Sequence, residues 1–168
     1  DSVRNFKVFD DISSHTATFD GSSASVVSTS DNTIRIINHR FVQGQRVVYS
    51  NGGGGNINGL TANAYYIIKD SPHTFKLAAN ESDAASLTPI NLTSVGTGSS
   101  HTLRVSFDGV NKKFKATHSS GNKTHIHHAT QLSVSINNVP QRPNDNLTFT
   151  EGFAVENKSI IVFKQAPI

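Results

Sequence analysis

Cysteine, methionine and tryptophan are all missing from the 168 residues of this chain, and charged side chains make up only 16% of it. Without cysteine there is no disulfide framework and no thiol chemistry. The lack of methionine, with a start at Asp1, fits a mature product or a fragment of something longer. No apolar run approaches the roughly 18 residues of a membrane-spanning helix, so membrane insertion is not expected, and no signal-peptide pattern opens the chain. Apolar residues contribute 35%, which is also low for a globular protein. Serine, threonine, asparagine and glycine take up the difference. The chain is long enough for one ordinary domain or two small ones, each half then being modestly stable.

The formal charge is +3 and the isoelectric point about 9.3. This is a small surplus of base rather than a basic stripe. Lys112, Lys113 and Lys115 form the densest cluster and read as a solvated strand edge, where lysine blocks unwanted pairing. No aromatic-and-basic platform is present, so nucleic acid is not an expected partner.

What the chain does contain is a succession of short β-type runs separated by turn signals. "SASVVST", "TIRIIN", "QRVVYS", "AYYIIK", "HTFKLA" and "HTLRVS" precede residue 107, and "KKFKAT", "QLSVSI", "GFAVEN" and "SIIVF" follow it. Leu132, Val134 and Ile136 alternate with Ser133 and Ser135, as in a strand buried on one face. Asn137 and Asn138 stand where a tight hairpin needs positive φ. The one helical candidate is "NESDAASLTP", capped by Asn80 and ended by Pro89. The expected fold is all-β, two small sandwich or barrel-like modules in tandem with little or no helix. Residues 1–22 read as a leader or pairing segment, 23–104 as the first module and 105–168 as the second. Phe19-Asp20-Gly21 is echoed at Phe107-Asp108-Gly109, which fits a chain assembled from β modules.

The second part, with "FDG", "KKFKAT", "QLSVSINNVPQRP" and "SIIVFKQAPI" in that order, resembles a module frequent in bacteriophage tail-fibre and other virion proteins. It departs from that pattern at Asn138, where the family usually has glycine. The first part, with "NHRFVQGQRVVYS", "INGLTANAYYII", "HTFKLA" and "HTL", is similar to another module of large phage structural proteins, especially those of marine cyanophages. The resemblance makes Phe41, Tyr49, Tyr65 and Phe75 core residues and gives His39, His73 and His101 structural roles. It implies a non-enzymatic virion protein, a fibre, spike or decoration component, located in the virion and serving assembly and host attachment. Its partners would be copies of itself in a homo-oligomer (a homotrimer in the fibre case), other virion structural proteins, and host surface glycan. No cofactor is implied.

Several stretches invite chemistry. "THIHHATQ" places His125, His127 and His128 within four positions. On a strand, His125 and His127 would share a face, but two imidazoles do not close a metal shell. Only symmetry partners could supply the rest, as in the trimeric phage fibres that hold iron with a His-x-His in each chain. The expectation is no metal site, and an exposed loop or rim. "NGGGGNINGL" lacks the Lys-Ser/Thr that a phosphate loop needs after its last glycine, and reads as a flexible hairpin tip. Asp10 with Asp11 would point to opposite faces of a strand, and Glu81 with Asp83 lie in a polar turn, so neither is a catalytic carboxylate pair. Neither a G-x-S-x-G nucleophile motif nor a D-x-D-x-D calcium loop occurs. A carbohydrate-binding or adhesin module of a surface protein is the alternative. The first would need an exposed aromatic platform, and the second many copies with calcium loops.

Overall fold

The computed structural model describes residues 6–8, 16–118 and 125–168, with side chains for 16–116 and 125–168. The fold is nearly all β. The chain divides into two compact units, a larger one over Ile12–Ser106 and a smaller one made of Asp1–Asp11 and Phe107–Ile168. The opening 22 residues are thus shared out. Strand β1 (Phe6–Val8) belongs to the smaller unit and β2 (Thr16–Phe19) to the larger.

The larger unit is a seven-stranded antiparallel sheet. Its strands are β2, β3 (Val27–Ser28), β4 (Thr33–Arg35), β5 (Arg46–Ser50), β6 (Ala64–Lys69), β7 (Thr74–Ala78) and β8 (His101–Arg104), in the order β2-β8-β5-β6-β7-β4-β3. The two outermost strands, β2 and β3, are joined by residues 20–26 alone. In a flat sheet at the usual ~4.8 Å spacing they would lie roughly 29 Å apart. Those residues are also folded into turns, with Val26 and Val27 N–H both donating to the Ser23 carbonyl at 3.0 and 2.9 Å. So short a link requires the sheet to curl rather than lie flat. The period-2 pattern then sends Val47 and Tyr49, Tyr65 and Ile67, and Phe75 and Leu77 inward, where all are buried. Phe41 and Phe75 meet edge to face at 5.2 Å.

Helix α1 (Glu81–Ala85) forms where its capping residue stands. Asn80 Oδ1 accepts from the Asp83 N–H at 2.8 Å, and Asp83 Oδ2 accepts from Asn80 Nδ2 at 2.7 Å. Ala84 docks on Ile68 and Ala78. Gln43 clamps it there, donating to the Ala84 carbonyl while accepting from Lys69 N–H, both at 2.8 Å.

In the smaller unit β9 (Lys113–His118), β12 (Pro143–Asn144), β13 (Phe153–Glu156) and β14 (Ile160–Phe163) join β1 in the order β1-β9-β14-β13-β12. All pairs are antiparallel except β12 with β13. Phe114, Phe153, Ile161 and Phe163 fill its core. The lysine cluster is corrected here. β9 lies between β1 and β14 rather than at an edge, and Lys113 Nζ is 3.0 Å from Glu156 Oε2. Its partner β1 is more than a hundred positions away, so no local pattern could announce the pairing.

β10 (Ser135–Ile136) and β11 (Val139–Pro140) form a separate two-stranded hairpin. Asn137 and Asn138 have φ of 49° and 65°, the pair of positive values that a two-residue primed turn requires. The expected one-face strand is shorter than its alternation. Leu132 and Val134 are half-buried between exposed serines, yet only Ser135–Ile136 is paired, since no described strand pairs with residues 132–134, which follow directly on a 3₁₀ turn at Ala129–Gln131. The echoed F-D-G stretches share one device. Asp20 Oδ1 accepts from Ser22 N–H at 3.0 Å, and Asp108 Oδ1 accepts from Val110 N–H at 3.0 Å.

Asn138→Gly should keep the hairpin, while Asn138→Val, forced into the left-handed region, should cost about 1–2 kcal/mol locally. Hydrogen exchange at the Gln141 amide, which donates to the Val134 carbonyl at 2.8 Å, reports both outcomes. Exchange should accelerate in the valine variant only.

Candidate functional site

Histidine is the residue type here with the widest chemical repertoire, so the surroundings of each ring decide what the fold can do. His101, on β8, is fully buried. Its Nε2 lies 3.0 Å from the Thr97 carbonyl, which can only accept, so Nε2 carries the proton. Nδ1 is left to accept from the Tyr49 hydroxyl at 2.8 Å. That hydroxyl in turn accepts from the Ile57 N–H at 3.2 Å. Burial raises the Tyr49 phenol above its ordinary value of 10.0, against a lowering by the Ile57 N–H and with a smaller raising by Tyr65. The imidazole is enclosed as well as bonded: a Cβ on Gly21 would overlap its ring, and one on Gly96 would come within 2.9 Å of it.

The glycine-rich connection after β5 is the wall of this cluster, which corrects the expectation of a flexible tip. Gly55 and Thr97 exchange backbone hydrogen bonds at 3.1 and 3.0 Å, and Asn58 N–H donates to the Ser94 carbonyl at 3.1 Å. A Cβ on Gly54 would occupy the place of the Thr97 carbonyl oxygen, and one on Gly52 that of Ser100. These glycines are therefore present for close backbone approach between two loops. Neither loop is arranged to cradle a phosphate.

His39 is buried, with Nδ1 accepting from Phe41 N–H at 3.0 Å and Nε2 donating to the Ser71 carbonyl at 2.9 Å. It also packs edge on against Phe75 at 5.0 Å. Exposed His73 accepts from Asn38 N–H through Nδ1 at 3.1 Å. All three rings thus carry structural hydrogen bonds. His39 and His101 have both ring nitrogens engaged in hydrogen bonds within the fold.

The stretch "HIHH" lies in the smaller unit, off any strand. Ile126 is buried and its N–H donates to the Lys158 carbonyl at 2.8 Å. His125 and His127 flank it and are exposed. His128 is exposed too, and does not share the inward face with Ile126, because Gln131 Oε1 accepts from both His127 and His128 N–H at 2.8 and 3.2 Å and bends the chain. His128 Nδ1 is 3.8 Å from Asp145 Oδ1, a distant pair between two exposed groups. Among the described residues no group of three or more metal-ligating side chains converges. Asp10 and Asp11 lie outside the described residues, and Glu81 and Asp83 sit in the first turn of α1.

The exposed feature that sequence reading missed as a surface is the hairpin itself. Val139 on β11 is 60% exposed and Leu147, shortly after β12, 54%. Proline beside short polar turns was the available signal, since Pro140 and Pro143 restrict how far this segment can extend a ladder.

Tyr49→Phe should destabilise the larger unit by about 1–3 kcal/mol, since it leaves Ile57 N–H and His101 Nδ1 without their partner. Gly21→Ala should cost a similar ~1–3 kcal/mol through overpacking. Denaturant midpoints read by tyrosine fluorescence check both, because Tyr49, Tyr65 and Tyr66 all lie in this unit. The raised Tyr49 phenol makes a further prediction. Its stabilising contribution is fully present below 10.0 and is lost as pH rises through the folded-state value. The midpoint should therefore fall above that pH in the native chain, and fall less in Tyr49→Phe.

No family model, curated protein or solved structure matches this chain.

Proposed function

We propose that this chain is a non-enzymatic structural component of a tailed-phage virion, a fibre, spike or decoration piece that assembles with copies of itself and with other virion proteins. The observation that carries the reading is the β10–β11 hairpin. Its strands are two residues each and belong to neither larger sheet. A hairpin of that size is marginal by itself in water. It nevertheless leaves Val139 uncovered, and Leu147, after β12, is exposed as well. Burying Val139 against a neighbour gains roughly 25 cal/mol per Å² and steadies the hairpin at the same time. The hairpin lies within "QLSVSINNVPQRP", which carries the clearest part of the resemblance to phage modules. Around a symmetry axis each copy would present this hairpin to the next. The reading that the chain is not an enzyme and needs no cofactor draws support from His39 and His101, whose ring nitrogens are committed to the fold.

Sedimentation of the purified chain should reveal a discrete homo-oligomer, a trimer for a fibre or spike. Changing Val139 and Leu147 together to aspartate should disperse it without lowering the tyrosine-read stability of the larger unit. A monomer at every concentration would sink the assembly reading. Peptides of the chain should be found at structural stoichiometry in purified virions, and release of oligosaccharides from host glycan would make it an enzyme instead.

A further inference from the structure

The loop that follows β4 is held in an unusual way. Arg40 has φ 60° and Asn38 φ 53°, on either side of buried His39. Left-handed backbone is the province of glycine, and asparagine tolerates it, whereas arginine there is strained. The strain persists because hydrogen bonds over-determine the loop. Ile36 N–H donates to the His73 carbonyl at 2.9 Å, His39 N–H to the Pro72 carbonyl at 3.3 Å, and Asn38 N–H to His73 Nδ1 at 3.1 Å. The His39 ring adds its bonds to Phe41 and Ser71. A glycine would fit this backbone without steric strain, so the position does not itself call for arginine.

Arg40 lines a cavity of about 200 Å³. Thr16 and Ala17 of the outermost strand β2 form one side, and Ile36, Asn38 and Phe41 contribute the other. Arg40 makes no ion pair or hydrogen bond among the described residues, and the side chains of Thr16 and Asn38 make no hydrogen bond there either. The lining therefore includes exposed Arg40, Asn38 and Thr16 beside half-buried Ile36. It is smaller than the ~300–1,000 Å³ of a drug-sized site.

We propose that this cavity binds a small organic carboxylate, with Arg40 supplying the fork of donors that matches a carboxylate. Asn38 and Thr16 hydrogen-bond polar groups on the ligand body, and Ile36 takes its apolar part. The site lies in the larger unit, so it is independent of the assembly role assigned to the hairpin.

The test is amide NMR of the full chain titrated with sodium glucuronate, against sodium chloride at equal ionic strength and against neutral glucose. Saturable shifts are expected at Thr16, Asn38 and Arg40 with glucuronate alone, at a dissociation constant on the order of 1 mM, as befits one ion pair in a small pocket. Arg40→Gly should abolish the shifts and melt at or above the native chain, because relieving left-handed strain offsets the added freedom of the unfolded chain. Arg40→Lys should keep the fold and weaken binding about tenfold or more, since a point charge cannot reproduce the fork. Absence of saturable shifts in the native chain overturns the site, as do equal shifts in Arg40→Gly. Equal binding of inorganic phosphate overturns the organic ligand. A melting temperature of Arg40→Gly below that of the native chain overturns the argument from strain and makes Arg40 structural.

Discussion

The larger unit depends on a chain of three hydrogen bonds, two buried and the last part-buried, from the Ile57 N–H to the Tyr49 hydroxyl, from that hydroxyl to His101, and from His101 to the Thr97 carbonyl. Each group would be expensive to bury alone, and together they satisfy one another. The chain joins β5 to β8 and ties both strands to the loops over residues 51–60 and 91–100. Gly21 and Gly96 are glycines because the ring needs their space. Phe19 closes the cluster with its ring 5.6 Å from the imidazole. A polar side chain thus organises an apolar interior, and its neighbours are chosen to fit it.

The loops follow from the same constraint. A domain with little apolar content has few side chains with which to fill space. Here backbone packs directly on backbone, and asparagine and glycine supply the conformations that this needs. Among the described residues, five of the eight non-glycine residues at positive φ are asparagines: Asn32, Asn38, Asn137, Asn138 and Asn157. Asn32 also donates order at a distance, its Oδ1 accepting from Leu92 N–H at 2.8 Å. The richness in asparagine, glycine, serine and threonine is the composition of a molecule whose turns are built as firmly as its strands. Arg40, Leu87 and Lys158 are the exceptions among the described residues, each holding a left-handed position without being glycine or asparagine.

Much of the β framework was legible locally. Alternation and β-branched content place "AYYIIK" on β6 residue for residue, and Phe41, Tyr49, Tyr65 and Phe75, which the resemblance makes core residues, are all buried. The helix was readable because capping is a contact within four residues. The hairpin turn was readable because two asparagines suffice to make it. Errors arose where a distant segment decided the outcome. The lysines near β9 read as an edge until β1 arrives from the other end of the chain. The glycine run read as mobile until residues 93–100 pack against it. Alternation through Leu132 promised a longer strand, but no neighbouring strand pairs with residues 132–134.

The sequence by itself determined the class of fold, the approximate strands, the helix cap and the hairpin turn, because each rests on steric preferences or hydrogen bonds spanning a few residues. Tertiary structure alone decided strand order, the curl of the seven-stranded sheet, the committed state of His101 and His39, and the meeting of Arg40 with β2 at a cavity. Each of these requires groups far apart in the chain to come together. A histidine is a ligand, a base or a spacer only once its two nitrogens have found their partners, and those partners are set by the fold.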